Sequence, residues 1–180
     1  MRQHLTSNRM AYLLLATLFL LTSVPTIILH AHAWDDADTS RFDFTASNVG
    51  PRELEDQTQN AIKREYAAAW TNMTEALAQN RLDKIDQSFV GTERDLLRRQ
   101  IDQQKKNGMS TKLADRSHKV EFAFYSPEGT AIELRDTVEL EQQTMDGSKQ
   151  LHSESGTQKY IVLFTLVEDK WKVRTLQQVQ

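Results

Sequence analysis

Apolar residues fall two apart between His118 and Leu140. Val120, Phe122 and Phe124 share one side of a strand, Ser126-Pro127-Glu128-Gly129 turns the chain, and Ile132, Leu134, Val138 and Leu140 share one side of the next. That alternation predicts a long amphipathic β-hairpin over residues 112–125 and 130–144. Asp146-Gly147 makes another turn into a third strand over 149–167, with Gly156 as a bulge or bend. The end of that strand, 160–167, is apolar on both faces apart from Thr165. Glu168-Asp169 leads into a fourth strand, where Trp171, Val173, Thr175 and Val179 share a face.

Upstream the apolar spacing is three and four. Leu54, Thr58, Ala61, Ile62, Ala69, Trp70, Met73 and Leu77 form one stripe between polar residues, which predicts a long helix opened by Pro51 and ending near Asn80. Leu82, Ile85 and Phe89 give a short second helix over 82–88, broken by Gly91. Thr92 with Asp95 resembles a capping box for a third helix, buried along Leu96, Leu97, Ile101 and Gln104 and stopped by Asn107-Gly108. Three helices followed by four consecutive antiparallel strands make an α+β domain, with a curved sheet packed on the helices.

The first 33 residues are of a different kind. Arg2 and Arg9 precede an uncharged run from Met10 to Leu29, then Ala31-His32-Ala33, Trp34 and the acids Asp35, Asp36 and Asp38. Basic before and acidic after, this segment sends the rest of the chain across the membrane with its N-terminus in the cytoplasm. Two fates fit. Ala-x-Ala suits cleavage between Ala33 and Trp34 as a signal peptide, whereas the length of the run suits a single transmembrane signal anchor. The expected organisation is therefore 1–33 leader or anchor, 34–50 linker or arm, and 51–180 folded domain, with Phe42, Phe44 and Val49 available to pin the arm.

Charge and composition narrow the function by exclusion. Residues 34–180 carry 20 basic and 25 acidic side chains, a net −5, with no clustered basic face, so nucleic acid is not an expected partner. The absence of cysteine rules out disulfides, thiolate metal sites and a cysteine nucleophile. No phosphate loop, dinucleotide fingerprint, zinc motif or nucleophile elbow occurs, and the expectation is no cofactor and no metal. Beyond the leader only His118 and His152 remain, and His152 lies in a polar stretch. Asn72-Met73-Thr74 matches a glycosylation acceptor but falls within a helix. Arg94, Arg98, Arg99, Lys105 and Lys106 give the third helix a basic side that suits solvent, or lipid head groups if the domain is tethered.

The order helix, helix, helix, then long strands ending in Tyr160-x-Val162-x-Phe164 and Trp171-Lys172-Val173, resembles the cystatin-like cone of the nuclear transport factor 2-like superfamily. Ala68-Ala69-Trp70, Ala76-Leu77 and Trp171 also resemble related domains of membrane-tethered or secreted bacterial envelope proteins of unknown role. This resemblance implies either of two functions. One is a non-catalytic envelope module that binds a protein partner or pairs with itself through the outer sheet face as a homodimer, with Ile161, Leu163 and Val167 exposed for it. The other is a small-molecule pocket inside the cone, isomerase- or dehydratase-like, lined by Trp70, Tyr66, Phe122 and Phe124.

The candidate chemistry of that second function lies on the hairpin. Glu133, Arg135, Glu139 and Glu141 have the parity of a solvated face, but Asp136 and His118 have the parity of the apolar one. A type I turn with Gly129 left-handed sets Phe124 against Ile132, Phe122 against Leu134 and Val120 against Asp136, so His118 lies one diagonal step from Asp136; a register two residues tighter places the two directly opposite. An imidazole beside a carboxylate on an apolar face can be an acid/base pair or a satisfied structural pair. The sequence leaves both open.

Overall fold

The computed structural model describes residues 38–46 and 49–179. The Met10 to Leu29 run and the Ala33-Trp34 junction lie outside the described residues. Among the described residues, no helix is long and apolar enough to cross a membrane.

The elements are β1 (Phe42–Ala46), α1 (Asp56–Gln79), α2 (Leu82–Ser88), α3 (Gly91–Asn107), β2 (Met109–Tyr125), β3 (Ala131–Asp146), β4 (Lys149–Val167) and β5 (Lys170–Val179). The strands form one sheet in the order β1-β2-β3-β4-β5, antiparallel from β2 to β5. The α+β class and the three helices are as expected, but the sheet has five strands and is mixed. β1 adds in parallel to the edge of β2, pairing Phe42 with His118 and Ala46 with Phe122. It lies inside the stretch expected as a linker. Phe42 and Phe44 fasten it: they point inward on alternate positions of Phe-Asp-Phe-Thr and pack on the core.

Helix α1 fills the concave side of the sheet. Ile62, Tyr66, Ala69, Trp70, Met73, Ala76 and Leu77 are buried at helical spacing, and the small alanines let the backbone approach the strands. It opens at Asp56 and not at Pro51, because residues 50 and 51 run extended beside β2, where the Tyr125 N–H donates to the Gly50 carbonyl at 3.0 Å. Asn80 ends it in the left-handed region, and its side-chain amide donates to the Met109 carbonyl at 2.8 Å, tying the helix end to the start of β2. Helix α3 starts at Gly91, and no side chain of its N-cap, Val90, bonds the first turn, so the Thr92–Asp95 box does not form. Instead Asp95 pairs with Arg94, and Glu93 accepts the backbone N–H of Leu176 at 3.0 Å. Gly108, at φ 70°, closes α3 as expected.

The β2–β3 hairpin carries two irregularities, one between Asp115 and Ser117 and one between Phe122 and Phe124. Phe122 faces Leu134 and Val120 faces Asp136, as the turn geometry predicts, but Phe124 faces Glu133 and Tyr125 faces Ile132. One extra residue on β2 between Phe122 and Phe124 shifts the parity. Tyr125 therefore turns into the core at 2% exposure, and Phe124 turns out at 42%. Gly156 passes without a bulge; the β3–β4 irregularity is at Thr144/Met145.

Candidate functional site

Strand register and helix phase bring five polar side chains together under β1. His118 comes from β2, Asp136 from β3 and Tyr66 from α1, and each is 1% exposed. The Asp136 Oδ2 atom accepts from the Tyr66 hydroxyl at 2.7 Å and lies 2.7 Å from His118 Nδ1. His118 Nε2 is 3.1 Å from Asp115 Oδ2, and that same oxygen accepts from Arg41 Nε at 2.7 Å. The result is a continuous chain of contacts from Arg41, just before β1, to Tyr66 in the middle of α1.

The charges in this chain reinforce one another. Burial alone would lower the His118 pKa, but its hydrogen bonds to Asp115 and Asp136, with their negative charges, outweigh burial and raise it above 6.5. Burial would raise the Asp115 carboxyl, yet the His118 bond and the Arg41 guanidinium hold it below the usual range. Burial, then the Asp136 charge, push the Tyr66 hydroxyl well above an ordinary phenol and the Tyr160 hydroxyl up to about 12. An imidazolium with both N–H groups donating, one to each carboxylate, satisfies this geometry.

Around the cluster the space is packed with aromatic rings. Phe42 stacks on the His118 ring at 4.1 Å between centroids and 15° between planes, and Trp70 meets it edge-on at 4.7 Å. Tyr66, Trp70, Phe122 and Phe164 are 0–2% exposed and fill the centre of the cone. Tyr66, Trp70 and Phe122, expected as pocket lining, are thus core residues, and Phe124 is outside the cone because of the bulge. His118 and Asp136 do touch, but a β1 side chain lies over them. The Asp136 Oδ1 atom and the Trp70 indole nitrogen are buried without a hydrogen-bond partner.

Two clefts approach this region from outside. One of about 260 Å³, lined by Arg41, Thr71, Thr74, Glu75, Ala114 and Asp115, reaches the solvent end of the ion cluster. A second, of about 550 Å³, crosses the outer face of all five strands, where Lys119, Glu121, Arg135, Lys159 and Ile161 stand around it. Among the described residues no group of three or more potential metal ligands is placed to hold an ion.

Arg41, Asp115 and the stacking role of Phe42 were not foreseen as parts of a site. The alternation Phe42-x-Phe44 was the available signal for a strand. The pairing of Arg41 with Asp115, 74 residues away, had none.

No family model matches the chain, and no curated protein matches it. Solved structures do. The intermembrane-space region of the chloroplast protein ARC6 superposes with a TM-score of 0.61 at 13% identity, over 72% of this chain and 98% of that one. A dehydratase of the NTF2-like family from Streptomyces avermitilis matches with a TM-score of 0.42 at 12% identity, over 66% and 94% of the two chains. A protein of unknown function with a cystatin-like fold from Nostoc punctiforme matches with a TM-score of 0.40 at 8% identity, over 71% and 93%. At 13% identity the likeness to the ARC6 region concerns the fold alone.

Proposed function

We propose that this domain is a non-catalytic interaction module of the cell envelope, exported or held to the membrane by residues 1–33, and that it associates with a second copy through the outer face of its sheet. The observation that carries this reading is the composition of that face. Phe124, Glu133, Leu163 and Thr175 lie in one row across β2 to β5, with Phe124 42% and the neighbouring Ile161 38% exposed. Ile161, in a groove with Lys119, Glu121, Arg135 and Lys159, together with Phe124 and Leu163 in the next row, fits a protein surface, which buries these apolar side chains and pairs the charges.

The filled interior supports the same reading. A catalytic pair needs room for a substrate beside it, and here Phe42 occupies the face of the imidazole while both ring nitrogens are engaged by carboxylates. The ion cluster has the contacts of a structural group. Replacing Ile161 with Asp tests the proposal: sedimentation should show weakened self-association with an unchanged circular dichroism spectrum. Association unaffected by Ile161→Asp and by Leu163→Asp would move the contact to another surface.

A further inference from the structure

The ion cluster joins β1 to the rest of the domain, beside the parallel ladder that β1 forms with β2. It is five residues long, sits at the sheet edge, and exposes Asp43, Thr45 and Ala46. Beyond that ladder it is fastened by Phe42 on the His118 ring and edge-on to Tyr66, Phe44 against Tyr66 and Phe122, the Arg41–Asp115 pair, and the His118 backbone N–H donating to the Arg41 carbonyl at 2.8 Å. Apart from the Phe44 contacts and the Phe42–Tyr66 contact, each of these runs through His118 or through the carboxylate that His118 touches.

We propose that β1 is a detachable strap held shut by the positive charge of His118, and that loss of that charge releases it from β2. With His118 charged, two carboxylates from β2 and β3 converge on one cation, and Arg41 closes the outer end. With His118 neutral, one ring nitrogen loses its proton and faces a carboxylate oxygen as a second acceptor, so a buried carboxylate is left facing a lone pair. The ring that supports Phe42 is then no longer fixed from both sides.

The groups facing His118 are Arg41 from the segment before β1, Tyr66 from α1, Asp115 from its own strand and Asp136 from β3; Tyr160 of β4 lies behind Trp70, and Glu75 of α1 lines the cleft beside Arg41. The tyrosines are pushed above the ordinary phenol range and Asp115 below the ordinary carboxyl range, so in this set the imidazole, held by its two carboxylates above the ordinary histidine value, is the group whose charge is lost as pH rises through that raised pKa. The cleft of about 260 Å³ at Asp115 gives the proton a route to solvent. The sign follows from the raised pKa. The clasp is complete below the unfolded imidazole value of about 6.5 and is lost as pH rises through the higher folded value. Release uncovers the edge of β2 and lengthens the linker between the body and residues 1–33, whether or not the outer face binds a second copy.

Hydrogen exchange followed by NMR on the full chain in detergent micelles tests this, with the His118 ring nitrogens observed in parallel. The expected result is that protection of the β1 amides and of the His118 N–H falls across the His118 titration, by about tenfold for each unit by which the folded pKa exceeds the unfolded one. Amides of the β3–β4 pair should keep theirs. In Arg41→Gln, altered at the outer end of the clasp and away from the core, β1 protection should be lower at every pH; in His118→Gln it should be low with no step. The proposal is overturned if β1 keeps its protection through the titration, if β1 and β3–β4 lose protection together, or if His118 stays neutral from pH 5 to 9. Should His118→Gln not fold, Arg41→Gln carries the test unchanged.

Discussion

Asp136 is where a single residue decides most. Its Oδ2 atom bonds both Tyr66 and His118 at 1% exposure, so Asp136→Asn leaves a buried cation with half its support. Breaking a buried ionic contact from one side costs about 3–5 kcal/mol. Urea unfolding should show a loss of that order, against about 1 kcal/mol for Tyr66→Phe, which removes one hydrogen bond and keeps the ring. A variant that unfolds like the parent would mean the cluster contributes little to stability and has another purpose. The two phenylalanines of β2 give a second contrast. Phe122→Ala should cost about 3–5 kcal/mol, and Phe124→Ser within about 0.5 kcal/mol, because the bulge puts only the former in the core. Equal losses would contradict the bulge.

At the scale of elements, what could be read from the chain depended on how local the signal was. The phase of α1 and the stop at Asn107-Gly108 were legible because their spacings lie within a few residues of one another. The diagonal approach of His118 to Asp136 was legible too, since the turn fixes the register for several pairs on either side. The bulge was not, because an inserted residue leaves the list of apolar positions unchanged and only reassigns which of two adjacent aromatics points inward. β1 was hidden because a parallel edge strand has no hairpin turn to announce it, and its partner lies more than 70 residues away. The turn itself yields a prediction. Gly129 has φ 71°, and a Cβ there would lie 2.7 Å from Arg52 Nη1 and 3.0 Å from the Tyr125 hydroxyl. Arg52 can swing away, so the backbone strain dominates and Gly129→Ala should cost about 1–2 kcal/mol, read as a lower urea midpoint at unchanged slope.

For the whole molecule, the proposed function gives different jobs to the two faces of the sheet. The inner face carries stability, including a pH-dependent part at the acid end. Asp115 is held below its usual range, so its contribution is present above the unfolded value of about 3.9 and is lost as pH falls through the lower folded one. An acid titration of stability should therefore lose a step in Asp115→Asn, and an unchanged profile would exclude Asp115 as its source. Under the proposed function the outer face carries recognition. Its groove holds charges of both signs, so association should weaken as salt rises while the exposed Phe124 and Ile161 keep part of it.

The most direct measurement of this division is the molar mass of residues 34–180 by light scattering over a concentration series. Association through the outer face predicts a mass that climbs towards two copies by high micromolar concentration and returns to one copy in Ile161→Asp. A mass of one copy throughout the series for the unaltered sequence would contradict it.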